Sequence, residues 1–390
     1  MIQKRKILIT PYSFKGTGGV TAFYNTLMPH FNNEAYVIKT LRIGSDRTIG
    51  RFKIKGVYPL TDQLRFRRSL ASLGQQDLVH INPSLNLKSF FRDGLLVYQA
   101  KLKKLPVLVF FHGWRKDFEQ LVSNKLLGFF KKTFGKADAF IVLSGEFKKT
   151  LKEWGVTQPI YLGTTAVDES LLTSFSISDR LEHVKKNLPI NILFLARLQR
   201  EKGVFETVDA VSMLIQKGLP LSLSIAGDGP IFKELRDYIG TKGLSKEHIR
   251  MLGDIRGQDK INAFIEHDIY CLPTYYGEGL PISVLEAMAF GLPVVTRPVA
   301  GLADIFQDGE MGFLCRGKTP AEISDALEKL IKDRPLMLKM SQYNYVFAKR
   351  HFMASAVAKR MMDIYQSIPN GENLENSETS SSTFISENLV

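Results

Sequence analysis

The chain has 390 residues, 44% of them hydrophobic and 23% charged, which is ordinary for a folded protein but more chain than one core needs. No apolar run approaches the ~20 residues of a membrane span, and the apolar segment after the basic start "MIQKRKILIT" is strand-sized, too short for a secretory signal. Two cysteines, Cys271 and Cys315, offer neither a disulfide framework nor metal-ligand spacing, so a reducing cytoplasm is the expected compartment.

The net charge of +13 is unevenly placed: residues 1–170 hold 27 Lys and Arg against 12 Asp and Glu, and the remainder 25 against 27. An anionic partner for the first half alone follows, whether a membrane surface, nucleic acid or a phosphorylated substrate, unless the lysines serve solubility only.

In chain order, "KILIT" (6–10), "AYVIKT" (35–40), "DLVHINP" (77–83), "VLVFFHG" (107–113) and "AFIVLSG" (139–145) read as strands. Helical patterns lie between several of them, at 20–31 and from Leu85 to Lys104. After a polar stretch, "SFSISDRLEHVKKN" (174–187), the alternation restarts. Strands are expected in "NILFLAR" (191–197), "LSLSIAG" (221–227), "IRMLGDI" (249–255), "IYCLP" (269–273) and "PVVTR" (293–297), with helices at about 203–217, 230–240 and 282–290. Continuous apolar strands alternating with helices give an α/β fold of two Rossmann-like, doubly wound domains. The expected division is 1–170 for an N-terminal domain, a linker near 170–188, and 188–350 for a C-terminal one. A helix at 351–369 returning to the first domain and a disordered polar tail at 370–390 complete it.

Open parallel sheets bind ligands at the carboxyl ends of their strands, so the loops there carry the chemistry. "PYSFKGTGGVTAFY" (11–24) follows the first strand; Gly16, Gly18 and Gly19 let backbone N–H groups approach a diphosphate, though the loop matches neither a Walker motif nor G-x-G-x-x-G. His112 ends the strand "VLVFF", where it can hydrogen-bond a substrate, stabilise developing charge, or simply pack. In "LARLQREKGV" (195–204), Arg197 and Lys202 with Gly203 set two cations at a strand end and helix entry, suited to an anionic leaving group. "IAGDGP" (225–230) reads as a turn lining the same edge.

The stretch "YYGEGLPISVLEAMAFGLPVV" (275–295) holds two glutamates. Pro281 fits the first helical position, and Gly291 with Pro293 marks the helix end. Glu278 then precedes the helix, beside the N–H groups of residues about 279–282. Glu286 lies inside it, where a carboxylate either faces solvent or needs hydrogen bonds. A ribose diol would supply them.

Taken together these loops resemble the retaining glycosyltransferases of family 4, with the GT-B fold and its two domains facing across a cleft. The most specific part is the E-x7-E motif, Glu278 to Glu286, joined by "ARLQREKG" and "GDGP" in the same order. The resemblance implies that Arg197 and Lys202 hold the diphosphate of a nucleotide-sugar, and that Glu286 binds the ribose. Glu278 with the backbone of Gly279, Leu280, Pro281 and Ile282 would hold the transferred sugar. His112 would contact that sugar, Gly18 and Gly19 would close over the phosphates, and Ile255 would meet the base. "TTAVD" (164–168) departs from the Asn-Gly-Val-Asp turn of many members. No metal and no cofactor are expected, since cations and helix N-termini can stabilise a departing diphosphate. A uridine donor is favoured by family frequency alone.

For the acceptor, a glycan or polyprenyl-linked glycan of a bacterial cell surface is the expectation, met at the inner face of the cytoplasmic membrane. "RFRR" (65–68), "KLKK" (101–104) and "KLLGFFKKTFGK" (125–136) add cations, and the last interleaves Phe129, Phe130 and Phe134, as either a helix resting on an anionic bilayer or a sheet-covering helix with solvated lysines would. The competing readings are a sugar hydrolase or epimerase using both glutamates, and a basic nucleic-acid-binding protein. The diphosphate-type Arg/Lys pair speaks against the first; nucleic acid is not the expected partner. A dehydrogenase lacks its dinucleotide fingerprint.

Overall fold

A computed structural model describes residues 4–10, 19–31, 35–44, 58–186, 189–245, 247–277 and 279–369. Gly16, Gly18, Glu278 and the tail from 370 lie outside these residues. The described chain divides into two compact units, one running through Thr165 and taking in Gly277, Gly279 and the described residues from Val357, the other spanning Ala166–Tyr276 and Leu280–Ala356.

In the first unit the elements are β1 (Arg5–Thr10), α1 (Gly19–Leu27), β2 (Tyr36–Thr40), α2 (Tyr58–Leu70), β3 (Leu78–Ile81), β4 (Ser84–Leu85), α3 (Leu87–Leu102), β5 (Val107–Phe111) and β6 (Gly113–Trp114). Then come α4 (Lys116–Leu121), a π-helical turn at Val122–Leu126, α5 (Leu127–Lys132), β7 (Ala139–Val142), α6 (Gly145–Glu153) and β8 (Ile160–Leu162). Six strands form one sheet in the order β2-β1-β3-β5-β7-β8, all parallel, while β4 and β6 pair with each other. Strands such as "VLVFF" are buried along their whole length because helices cover both faces of the sheet.

The second unit holds α7 (Ile177–Lys185), β9 (Ile190–Leu195), α8 (Val204–Gln216), β10 (Leu221–Ala226), α9 (Phe232–Thr241), β11 (Ile249–Gly253), α10 (Gly257–Glu266) and β12 (Ile269–Leu272). It continues with α11 (Ile282–Ala289), β13 (Val294–Thr296), α12 (Gly301–Ile305), β14 (Gly312–Leu314), α13 (Pro320–Lys332) and α14 (Arg334–His351). Its sheet is also six-stranded and parallel, in the order β11-β10-β9-β12-β13-β14. Counted within the unit that is 3-2-1-4-5-6, and the first unit reads 2-1-3-4-5-6. In each, chain direction across the sheet reverses once, between β9 and β12 here and between β1 and β3 there. Loops leaving the carboxyl ends on either side of such a reversal diverge, and a crevice opens between them. Last comes α15 (Ala354–Ser367), whose residues from Val357 count with the first unit. There the Tyr365 hydroxyl lies 2.8 Å from His80 Nδ1 in the middle of β3, and Arg5 Nη1 donates to the Tyr365 carbonyl at 2.6 Å.

Three expectations change. The division falls at Thr165/Ala166 rather than in a linker near 170–188, and the polar stretch 174–187 contains α7. Its sequence shows little apolar periodicity because its main anchor is a buried arginine. Arg180 donates to the carbonyls of Phe264, Ile265 and His267, the unpaired C-terminal groups of α10. Burial brings the Arg180 guanidinium down to about 10, still charged at neutral pH. The phenylalanines of 125–136 do not face outward: Phe130 and Phe134 are fully buried, and Phe129 packs on Phe90 and Phe91. Their lysines stand on the outer side of a sheet-covering helix. Finally, Pro281 is the residue before α11 rather than its first.

Arg180→Leu keeps the apolar stem but leaves three carbonyls without a donor, and is expected to cost about 2–4 kcal/mol. A fall in urea midpoint at unchanged slope checks this; a midpoint within error of the parent would contradict it.

Candidate functional site

At the reversal in the second unit the loops after β9, β10, β11 and β12 lie against one another. Leu198 N donates to Asp228 O at 3.0 Å, and Gly227 N to Gly253 O at 2.7 Å. Only glycine suits position 227, where φ is +140° and a Cβ would stand 1.9 Å from Ala196 O. The "GDGP" turn is thus the floor on which "ARLQREKG" rests. Gly203 does the same on the other side: φ is +79°, and a Cβ would meet Pro273 O at 2.5 Å. Tyr275 N donates to Glu201 O at 2.9 Å, which locks the short 3-10 turn Arg200–Lys202 to the segment after β12.

Two cations emerge from this framework. Arg197 is exposed and has no partner among the described residues. Lys202 is buried, its Nζ 4.8 Å from the centre of the Tyr276 ring, and burial lowers it to about 8. Its neighbour Gly203 is the N-cap of α8, so the positive helix end follows directly after Lys202 in the chain.

Glu286 sits on α11 and is only 5% exposed, which removes the solvent-facing alternative. Its Oε1 accepts from Lys260 Nζ at 2.7 Å, while Oε2 is buried with no hydrogen-bond partner among the described residues. Desolvation raises the Glu286 carboxyl above its ordinary value, against the opposing pull of Lys260. An unpaired buried carboxylate oxygen costs about 1–3 kcal/mol, and Oε2 is left able to accept a further hydrogen bond. Lys260 stands on α10, the helix that half-buried Ile255 leads into. Sequence reasoning missed Lys260, because its pairing spans 26 residues and leaves no local signal. The N-terminus of α11 has no side-chain cap after Pro281. Leu280 and Pro281 are buried there, with Gly279 and Ile282 half-buried.

In the first unit the reversal between β1 and β3 is flanked by Asn82, which follows β3, and by His112, which follows β5. Gly19 is the exposed first residue of α1, and Tyr24 is buried on the same helix. The His112 ring lies over Phe110 (centroids 3.8 Å apart) and against the edge of Phe23. Desolvation lowers His112 to about 3, which favours the neutral ring. Asn82 Oδ1 accepts from the Tyr24 hydroxyl at 2.7 Å and stands 2.9 Å from His112 Nε2. With Asn82 Nδ2 directed at His80 O (3.4 Å), the amide oxygen can only accept. His112 therefore carries its proton on Nε2, and Nδ1, unpartnered among the described residues, is left as an acceptor for a hydroxyl. Among the described residues no group of three or more His, Cys, Asp and Glu is placed to hold a metal ion. No described helix is long and apolar enough to cross a membrane.

Residues 177–347 match the family model "Glycosyl transferases group 1". The phosphatidyl-myo-inositol mannosyltransferase of Mycobacterium leprae is 33% identical over 182 residues, 45% of this chain and 46% of that protein. The protein of that name from Mycobacterium tuberculosis is 25% identical over 378 residues, 93% of this chain and 96% of its own. The chain spans about half the length of several curated relatives that it matches. Among solved structures, Anabaena Alr3699/HepE in complex with UDP and glucose superposes with a TM-score of 0.67 at 17% identity, over 93% of this chain and 100% of that one.

The tautomer has a direct test. Ring 15N shifts of His112 should report an Nε2–H imidazole at pH 7, and Asn82→Asp, which sets a carboxylate against Nε2–H, should raise the His112 pKa. An Nδ1–H ring, or no rise in the variant, would contradict the assignment.

Proposed function

We propose that the chain, whose residues 177–347 match the group 1 glycosyltransferase model and which has the GT-B fold, is a retaining hexosyltransferase. In this reading it moves a sugar from a UDP-sugar to a glycan or lipid-linked glycan in cell-surface polysaccharide synthesis. The observation that carries the reading is the buried Glu286 carboxylate, one oxygen paired with Lys260 and the other without a partner among the described residues, on the helix that follows β12, while Arg197 and Lys202 follow β9 across the same strand-order reversal. A ribose diol donates two O–H groups to one carboxylate, which fits Oε2 directly. Arg197, Lys202 and the amino end of α8 meet the diphosphate, and Ile255 lies toward the base. UDP as the nucleotude portion draws support from the Anabaena structure, and a lipid-linked acceptor from the mycobacterial phosphatidyl-myo-inositol enzymes.

Departure of the nucleoside diphosphate leaves positive charge on the anomeric carbon and negative charge on the leaving group. Arg197 and Lys202 stabilise the latter from fixed positions, with no metal ion needed in this reading. Glu278 and the backbone of Gly279 to Ile282 hold the sugar hydroxyls, Gly18 and Gly19 approach the phosphates, and His112 Nδ1 accepts from one sugar hydroxyl. The acceptor attacks from the face the diphosphate leaves, within an ion pair, so configuration is retained.

Lys202 sets the pH behaviour of the free enzyme. Its cation is present below about 8 and lost above it, so kcat/KM should fall through that range as pH rises. Lys202→Arg, which stays charged, should remove this alkaline limb, and Lys202→Ala, Arg197→Ala or Glu278→Ala should lower transfer at least 100-fold with thermal midpoints nearly unchanged. Near-normal turnover in all three alanine variants would overturn the site assignment, and sugar release to water without acceptor product would favour a hydrolase.

A further inference from the structure

Helix α3 carries apolar residues on the face that should be polar. Leu87, Phe91, Leu95, Tyr98 and Leu102 are each between 38% and 67% exposed. At 3.6 residues per turn they fall within an arc of about 80° along the whole helix. The inward face is separately filled by Phe90, Leu96, Val97 and Ala100, so the outer stripe is surplus to the core. Beside it α2 adds Leu64, 50% exposed, and is tied to α3 by Gln63 Nε2 donating to Arg92 O at 2.9 Å.

Charge on this surface is sorted as well. Every carboxylate between residues 61 and 104 (Asp62, Asp77 and Asp93) is buried. Over the same span Arg65, Arg67, Arg68, Lys88, Lys103 and Lys104 are exposed. A surface that removes every anion, keeps six cations and adds a long apolar stripe is complementary to one partner type. We propose that the α2–α3 face docks on an anionic lipid bilayer, with the stripe at headgroup depth and the cations against lipid phosphates. A nucleic acid would use the cations but leave the aliphatic stripe in water. A second copy meeting this face across a two-fold axis would set the same six cations against themselves. This surface replaces the lysine- and phenylalanine-rich segment 125–136, whose Phe130 and Phe134 are in the core.

The inference rests on the membrane-linked acceptor of the proposed function, and vesicle binding is read without donor or transfer, so the two fail separately. The full chain is sedimented with vesicles containing about one-third phosphatidylserine and with pure phosphatidylcholine. Binding to the anionic vesicles only, weakening with salt, is expected. Leu95→Glu with Tyr98→Glu should weaken it at least tenfold, Arg67→Glu with Arg68→Glu similarly, and Lys125→Glu with Lys132→Glu less than threefold. UDP-induced thermal shifts should persist in all variants, which shows that they fold. Wild-type vesicle binding by the Leu95/Tyr98 variant overturns the proposal while leaving the transferase reading standing. So does a parent that ignores both vesicle types, or one whose concentration-dependent oligomer is abolished by that variant. Lost transfer with vesicle binding intact would do the reverse.

Discussion

Everything chemical in the second unit depends on the single reversal of strand order between β9 and β12. Parallel strands force each connection to cross a face of the sheet, and at the reversal successive connections leave toward opposite faces. Backbone then approaches backbone at the sheet edge more closely than a side chain allows. Glycine at 227 and 203 is the local consequence, and Arg197 and Lys202 are placed by it. The arrangement places cations and helix ends at a point fixed by sheet topology rather than by a mobile loop.

The electrostatics follow from the same geometry. Glu286 is buried because α11 packs its apolar residues into the unit, and Lys260 is what keeps the carboxylate affordable there. Among the described residues one oxygen is satisfied and the other is not. His112 shows the converse treatment. Its positive charge is suppressed by burial, and its proton is fixed on one nitrogen by Asn82 and Tyr24. A titratable group at each reversal is thereby turned into a hydrogen-bonding group of defined polarity.

Most of the fold was legible in the sequence because fully buried parallel strands appear as continuous β-branched and aromatic runs. Of the strands in the two six-stranded sheets, the two that escaped, Ile160–Leu162 and Gly312–Leu314, are three-residue edge strands, too short and too half-exposed for such a run. Helix α7 was hidden because Arg180, not an apolar stripe, anchors it. At the candidate site, Arg197 and Lys202 stand out in the sequence by their position at a strand end and a helix entry, and Glu286 as a carboxylate inside an apolar helix. Lys260 and Asn82 did not, since each acts on a residue distant in sequence through a side-chain hydrogen bond. Segment 125–136 shows a different limit: alternating lysines and phenylalanines specify an amphipathic helix but not which side is wet.

The central claim is that Glu286 holds the ribose of a nucleotide-sugar, and a comparison of UDP with its 2′,3′-dideoxy analogue by calorimetric titration tests it most directly. The account predicts that the parent protein binds UDP at least tenfold more tightly than the analogue, about 1.4 kcal/mol, and that Glu286→Ala erases the difference. Equal affinity for the two nucleotides in the parent protein would contradict it.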